Sequence, residues 1–167
     1  MTQLIIGFSK PKSKWAFGAK SIMWFEGTPY SHVYLKWHST KYDRDLFYEA
    51  KGNGVNFTSP IHFKEAVQIV EEYSLEISDE ANIKVMQYAI DNARAKYGYW
   101  QLLGIVLVKV GRKLGLTFKN PLTSGTICSE LAGIILEHCL DLEVPDDLEM
   151  AGPKDINDFI KTVGTKL

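Results

Sequence analysis

Cysteine and histidine are scarce in this chain, and what they cannot build narrows its chemistry. The two cysteines, Cys128 and Cys139, lie eleven residues apart in one apolar, helix-like stretch. Along a helix that is roughly 16 Å, beyond the reach of a disulfide. Two free thiols are expected, which fits a reducing compartment and a cytoplasmic protein. The four histidines, at 32, 38, 62 and 138, make no H-x-x-x-H pair, and the cysteines make no C-x-x-C. His32 and His38 share strand parity but stand about 20 Å apart along a straight strand. No metal is expected, and with neither a P-loop nor G-x-G-x-x-G present, no cofactor.

Charge of one sign is also missing. The net charge is −1, with Lys and Arg spread along the sequence. Nucleic acid requires a concentrated basic patch, so no nucleic-acid partner is expected. Long hydrophobic runs are absent too. In "YWQLLGIVLVKVG", residues 99–111, the apolar run is interrupted by Gln101 and Lys109. It falls short of the roughly 20 residues that span a bilayer and reads as a buried helix. "MTQLIIGFSKPKSK" lacks a charged start followed by a long apolar run, so no signal peptide is expected. Repeats, linkers and low-complexity tracts are lacking, which leaves residues 1–167 as a single domain.

What is present alternates between strand and helix patterns. "QLIIGFS" reads as a buried strand, and residues 14–26 carry Trp15, Ala19, Ile22 and Met23 at helical spacing before Gly27. "SHVYLKW" and "DLFYEAKG" read as two strands of a hairpin joined by a polar loop, with "GNG" at 52–54 turning the chain again. A further strand is expected over 66–77. Residues 78–98 read as the clearest helix, capped by Ser78 or Asp79, with Ile83, Met86, Ile90, Ala93 and Tyr97 on one face and Gly98 as its stop. Helices are also expected at about 100–114, from the region of Ser124 or Thr126 onward, and over 153–163, opened by Pro153. The class is α+β, a small antiparallel sheet packed against helices.

Three residues stand out chemically. In "SHVYLKW", Val33, Leu35 and Trp37 point one way and His32, Tyr34 and Lys36 the other. If Leu35 pairs with Leu46 and Val33 with Tyr48, His32 falls opposite Glu49, and opposed residues share a face. The pair is then either a surface ion pair of little energetic weight or a carboxylate that orients an imidazole. Cys128 falls in the first turn of its helix, where the N-terminal field favours a thiolate. It shares a stripe with Leu131, Ala132, Ile135 and Cys139, and a cysteine so placed is more often a small core residue. Cys139, mid-helix on the same stripe, reads as core. A thiol, an imidazole and a carboxylate are together what covalent acyl transfer needs.

The phrases "FEGTPYSHVYL", "YEAKGNGV", "YGYW" and "TICSELAGIIL" follow the order seen in the circularly permuted NlpC/p60 proteins, the YiiX-like branch, which this chain resembles over about residues 2–160. The resemblance implies a permuted papain-like fold whose histidine strand precedes the cysteine helix. It matches His32 to the base, Glu49 to the orienting acid and Cys128 to the nucleophile. Tyr97 or Tyr99 resembles the aromatic segment that lines the family's substrate site, where a Tyr hydroxyl could donate to an oxyanion beside the Cys128 N–H. The implied activity is a cysteine peptidase or amidase acting on a peptide or peptidoglycan-like substrate. Lipid acyl transfer or hydrolysis with the same triad, or an inactive binding module, are the alternatives. The missing signal peptide and wall-binding module depart from the family's extracellular members.

Overall fold

A buried strand, four further apolar-rich strand segments and a two-residue polar edge build one sheet, and the apolar stripes of the helices cover it. A computed structural model describes residues 2–14, 16–39, 43–98, 104–105, 108, 111, 115–116, 125–144 and 151–167. Strands β1 (Thr2–Pro11), β2 (His32–Ser39), β3 (Arg44–Lys51), β4 (Gly54–Thr58), β5 (Val67–Ile77) and β6 (Thr165–Lys166) pair antiparallel in the order β4-β3-β2-β1-β5-β6. The helices are α1 (Phe17–Glu26), α2 (Pro60–Ala66), α3 (Asp79–Asp91), α4 (Cys128–Ile134, continued by a π-helical turn over Ile135–Cys139) and α5 (Pro153–Val163). The protein is thus α+β.

Both faces of the sheet are covered at its centre. Leu4, Ile6, Phe8, Val33, Leu35 and Tyr48 share one core with Val85 and Ala89 of α3, Leu131 and Ile135 of the α4 segment and Ile156 and Ile160 of α5. On the opposite face, Tyr34, Phe47 and Phe63 of α2 form a second cluster, with the Phe47 and Phe63 rings stacked at 4.1 Å. That face, which the strand pattern leaves polar, is closed over Tyr34, because Gly7 stands opposite it in β1. A Cβ on Gly7 would lie 2.1 Å from the Tyr34 ring, so only glycine admits the tyrosine there.

Several boundaries follow their local chemistry. Gly27 ends α1 in the left-handed conformation at φ 65°, and Ser78 caps α3 by accepting from the Ala81 N–H at 3.0 Å. Others differ from the sequence reading. α3 stops at Asp91, not Gly98, and Arg94 adopts φ 70° in the turn that follows. Its buried residues are Val85 and Ala89, while Ile83 and Ile90 are exposed. Strand β4 and helix α2 occupy the stretch between the turn at 52–54 and the strand expected from 66, to which the sequence pattern assigns no element, and β6 adds a short edge. The expected 100–114 helix lies mostly outside the described residues, of which Gly104, Ile105, Val108 and Gly111 are helical. No described helix is long and apolar enough to cross a membrane.

Candidate active site

The β2–β3 register differs from the expected one by two residues. Leu35 pairs with Tyr48 and Trp37 with Leu46, so His32 is not directly opposite Glu49. A slip of two preserves the face on which every side chain lies. Glu49 therefore still reaches His32, along the diagonal, with His32 Nε2 at 2.9 Å from Glu49 Oε2. The His32 side chain is 15% exposed and that of Glu49 only 1%. This geometry removes the surface-pair alternative, since a buried carboxylate must be matched by donors.

Glu49 has three such donors. Besides His32, Lys51 Nζ donates to Oε1 at 2.6 Å and to the Thr58 hydroxyl at 3.4 Å, and that hydroxyl in turn favours the ionised carboxylate. Burial pushes the Glu49 carboxyl up, but His32, Lys51 and Thr58 together outweigh it and hold it down at about 2. The sequence reading missed Lys51 and Thr58. Lys51 was within reach, because it shares strand parity with Glu49 two residues earlier; Thr58 depends on β4, which that reading lacked.

The same ring interacts with the Cys128 side chain, which favours its charged form. Nε2 is engaged by Glu49, which leaves Nδ1 to face the sulfur. Burial opposes a charge on His32, yet the hydrogen bonds and charges of Cys128 and Glu49 prevail and raise its pKa to about 10. Imidazole, thiol and carboxylate are thus brought together from β2, α4 and β3.

Helix α4 presents Cys128 as its first helical residue. The position before it is Ile127, and neither Ser124, which lies outside the described residues, nor Thr126 is the cap. Instead the Glu130 carboxylate accepts from the Ile127 N–H at 3.4 Å. Thr126 is used in a parallel bridge to Tyr97. Gly125 makes that bridge possible. Its φ is 83°, and a Cβ there would stand 2.7 Å from the backbone of Tyr97 and Gly98. The bridge fixes Tyr97 beside the cysteine. Tyr99 lies outside the described residues.

Two cavities meet at this point. One of about 310 Å³ is bounded by Ala19, Ile22, His32, Glu49, Lys51 and Tyr97, a volume at the lower end for small-molecule sites. A narrow slot of about 30 Å³ lies against Cys128 between Ile22, Phe25, Tyr97, Ile105 and Ile127. Ile22, Ser31 and Tyr97 border both. A larger groove of about 550 Å³ surrounds Cys139, whose thiol is pushed up by burial against the pull of Lys84. Its described lining includes no histidine, so size alone does not make it the reactive site.

The remaining histidines stay apart from this cluster. His38 contacts Asp45 at 3.0 Å, and His62 and His138 are exposed. Among the described residues no group of three His, Cys, Asp or Glu could hold a metal ion. No family model matches the chain, and no curated protein matches it.

Proposed function

We propose that the chain is a thiol hydrolase of permuted papain-like fold that cleaves an amide bond in a peptide or peptidoglycan-like substrate. The observation that supports it is the meeting of the Cys128 side chain with His32, whose ring is in turn hydrogen-bonded to the buried Glu49. Cys128 attacks the carbonyl carbon as a thiolate and forms a thioester, while the His32 imidazolium gives its proton to the departing amine nitrogen. The now neutral His32 takes a proton from water, the resulting hydroxide attacks the thioester, and Cys128 leaves as thiolate with the acid product. Glu49 keeps the ring oriented and supports its charged form throughout. The Cys128 N–H and a Tyr97 hydroxyl are the candidate donors to the oxyanion.

A second reading is favoured by the lining of the slot at Cys128, where Ile22, Phe25, Ile105 and Ile127 predominate. These walls are apolar, so an acyl chain could part them beyond the slot's 30 Å³, and the same thioester can be passed to a hydroxyl or amine in place of water. Incubation with muropeptides, peptides and phospholipids, with mass spectrometry of products and of Cys128, separates the two. An amide-cleavage product supports the first reading, and a fatty-acyl adduct on Cys128 supports the second. Turnover that persists in Cys128→Ala, or no product and no adduct with any substrate, overturns both.

A further inference from the structure

The even charge of the whole chain hides a local imbalance. Residues 10–25 hold four lysines, Lys10, Lys12, Lys14 and Lys20, and no Asp or Glu. Folding gathers that charge. Lys12 Nζ donates to the Lys64 carbonyl, the Lys12 N–H to the Ala66 carbonyl at 3.0 Å, and Lys20 Nζ to the Lys14 carbonyl at 2.8 Å. The loop after β1 is thereby tied to the start of α1 and to the end of α2, where Lys64 and the exposed Glu65 stand side by side, and the cationic rim is that of Lys12, Lys14 and Lys20.

Helix α1 within this rim buries none of its residues. Trp24 is 85% exposed and Phe17 66%. They are seven residues apart with the exposed Lys20 and Ser21 between them, the i, i+3, i+4, i+7 spacing of one helix face. Ile61 on α2 is a third large exposed apolar side chain. Single exposed apolar residues are ordinary, but two large aromatics on one helix face amid lysines have the composition of an interfacial helix. The rest of the helix is anchored. The Glu26 carboxylate at its end accepts from the Lys154 N–H at 3.1 Å, and Gly18, Ala19 and Ile22 border the 310 Å³ cavity.

We propose that α1, with Lys12, Lys14 and Lys20, docks the protein on an anionic lipid surface, with Phe17 and Trp24 entering the headgroup region. This surface is independent of the chemistry proposed for Cys128. A ten-residue helix is about 15 Å long. Its one outward face is small beside the roughly 800 Å² per partner that a stable protein interface buries. A lipid surface requires no matching shape. It rewards apolar insertion and positive charge together, and α1 offers both on its outward side.

Co-sedimentation of the full chain with phosphatidylcholine vesicles, with and without phosphatidylserine, tests this. The protein should partition onto the phosphatidylserine vesicles, and high salt should release it. Trp24→Ala with Phe17→Ala should lower partitioning at least about tenfold. Lys12→Gln, Lys14→Gln and Lys20→Gln should each weaken it about fivefold. Brominated lipid should quench a share of the tryptophan fluorescence that Trp24→Ala abolishes. All these positions are exposed, so circular dichroism and melting should match the parent. Equal binding to neutral vesicles, no binding to anionic ones at low salt, or full binding by the aromatic variant would each overturn the proposal. Binding to a protein in place of lipid would do so as well.

Discussion

Replacing Glu49 by glutamine isolates the charge in the site from its shape. The glutamine carbonyl can still accept from His32 Nε2, so the ring keeps its tautomer and place; only the negative charge is lost. Glu49 is held at about 2 against an ordinary 4.5. That gap is worth on the order of 3 kcal/mol, divided among His32, Lys51 and Thr58. If His32 carries between one third and all of it, the imidazolium loses about 1–3 kcal/mol of support. Lys51 aggravates the loss, because its ammonium now faces His32 with no carboxylate between them. The thiolate–imidazolium form should become roughly ten- to a hundredfold less populated wherever it depends on that support.

Two assays read this without a known substrate. The rate of Cys128 alkylation by iodoacetamide near neutral pH should fall by roughly tenfold or more in Glu49→Gln. The His32 ring, followed by NMR, should titrate well below the parent's value and closer to 6.5. The fold should survive but melt lower, by at most the roughly 3 kcal/mol that the carboxylate's charge is worth, since glutamine fills the same space and Lys51, at 35% exposure, can turn to water. An unchanged alkylation rate with an unchanged His32 titration would refute the reasoning and make Glu49 a bystander. Loss of the fold would make the pair structural.

Further outcomes follow from the same geometry. On any substrate that is turned over, damage should run Cys128→Ala, then His32→Ala, then Glu49→Gln, because the nucleophile is indispensable and the orienter is not; a different order in steady-state rates argues against these roles. Stability should also depend on pH through this cluster. Glu49 is held low, so its contribution is complete above 4.5 and is lost as pH falls toward 2, while His32 is held high, so its contribution is complete below 6.5 and is lost as pH rises toward 10. Denaturant titrations should therefore show the cluster's stabilisation at its fullest between 4.5 and 6.5, with a weaker alkaline decline in Cys128→Ala. Gly125→Ala should cost about 1–3 kcal/mol in the same titrations, through a left-handed backbone and contact with Tyr97; a neutral effect would mean that the Tyr97–Thr126 bridge is readily given up.

How far the site was legible in the sequence depends on parity. Leu46 and Tyr48 are both apolar, so either of two β2–β3 registers satisfies the alternation, and the sequence pattern alone does not choose between them. The face of His32 and Glu49 is common to both registers, which is why the pair was found despite the slip. For α3, the stripe through Ile83 and Ile90 and the one through Val85 and Ala89 are both helical. Bulk favoured the first and close packing against the α4 segment chose the second. Helix α2 had a readable start, Ser59 as cap with Pro60 at the first helical position and the serine accepting from the His62 N–H. Its seven residues were too few for a periodic signal to compete with the adjoining strand.

The two thiols show most plainly what pattern reading leaves undecided. Cys128 and Cys139 lie on one stripe of the same helical segment, and each is 6% exposed. Neither periodicity nor burial separates them. What does is the first residue of a strand nearly a hundred positions earlier, because the His32 ring interacts with Cys128 while Cys139 has burial and the charges of Lys84 and Asp141 around it. Equal burial also makes the comparison a controlled one: access predicts equal alkylation, and the imidazole predicts fast reaction at Cys128 with slow reaction at Cys139. Peptide mapping after brief iodoacetamide treatment of the folded protein decides between them. Equal rates would remove the case for an activated nucleophile, however close the ring stands to the sulfur.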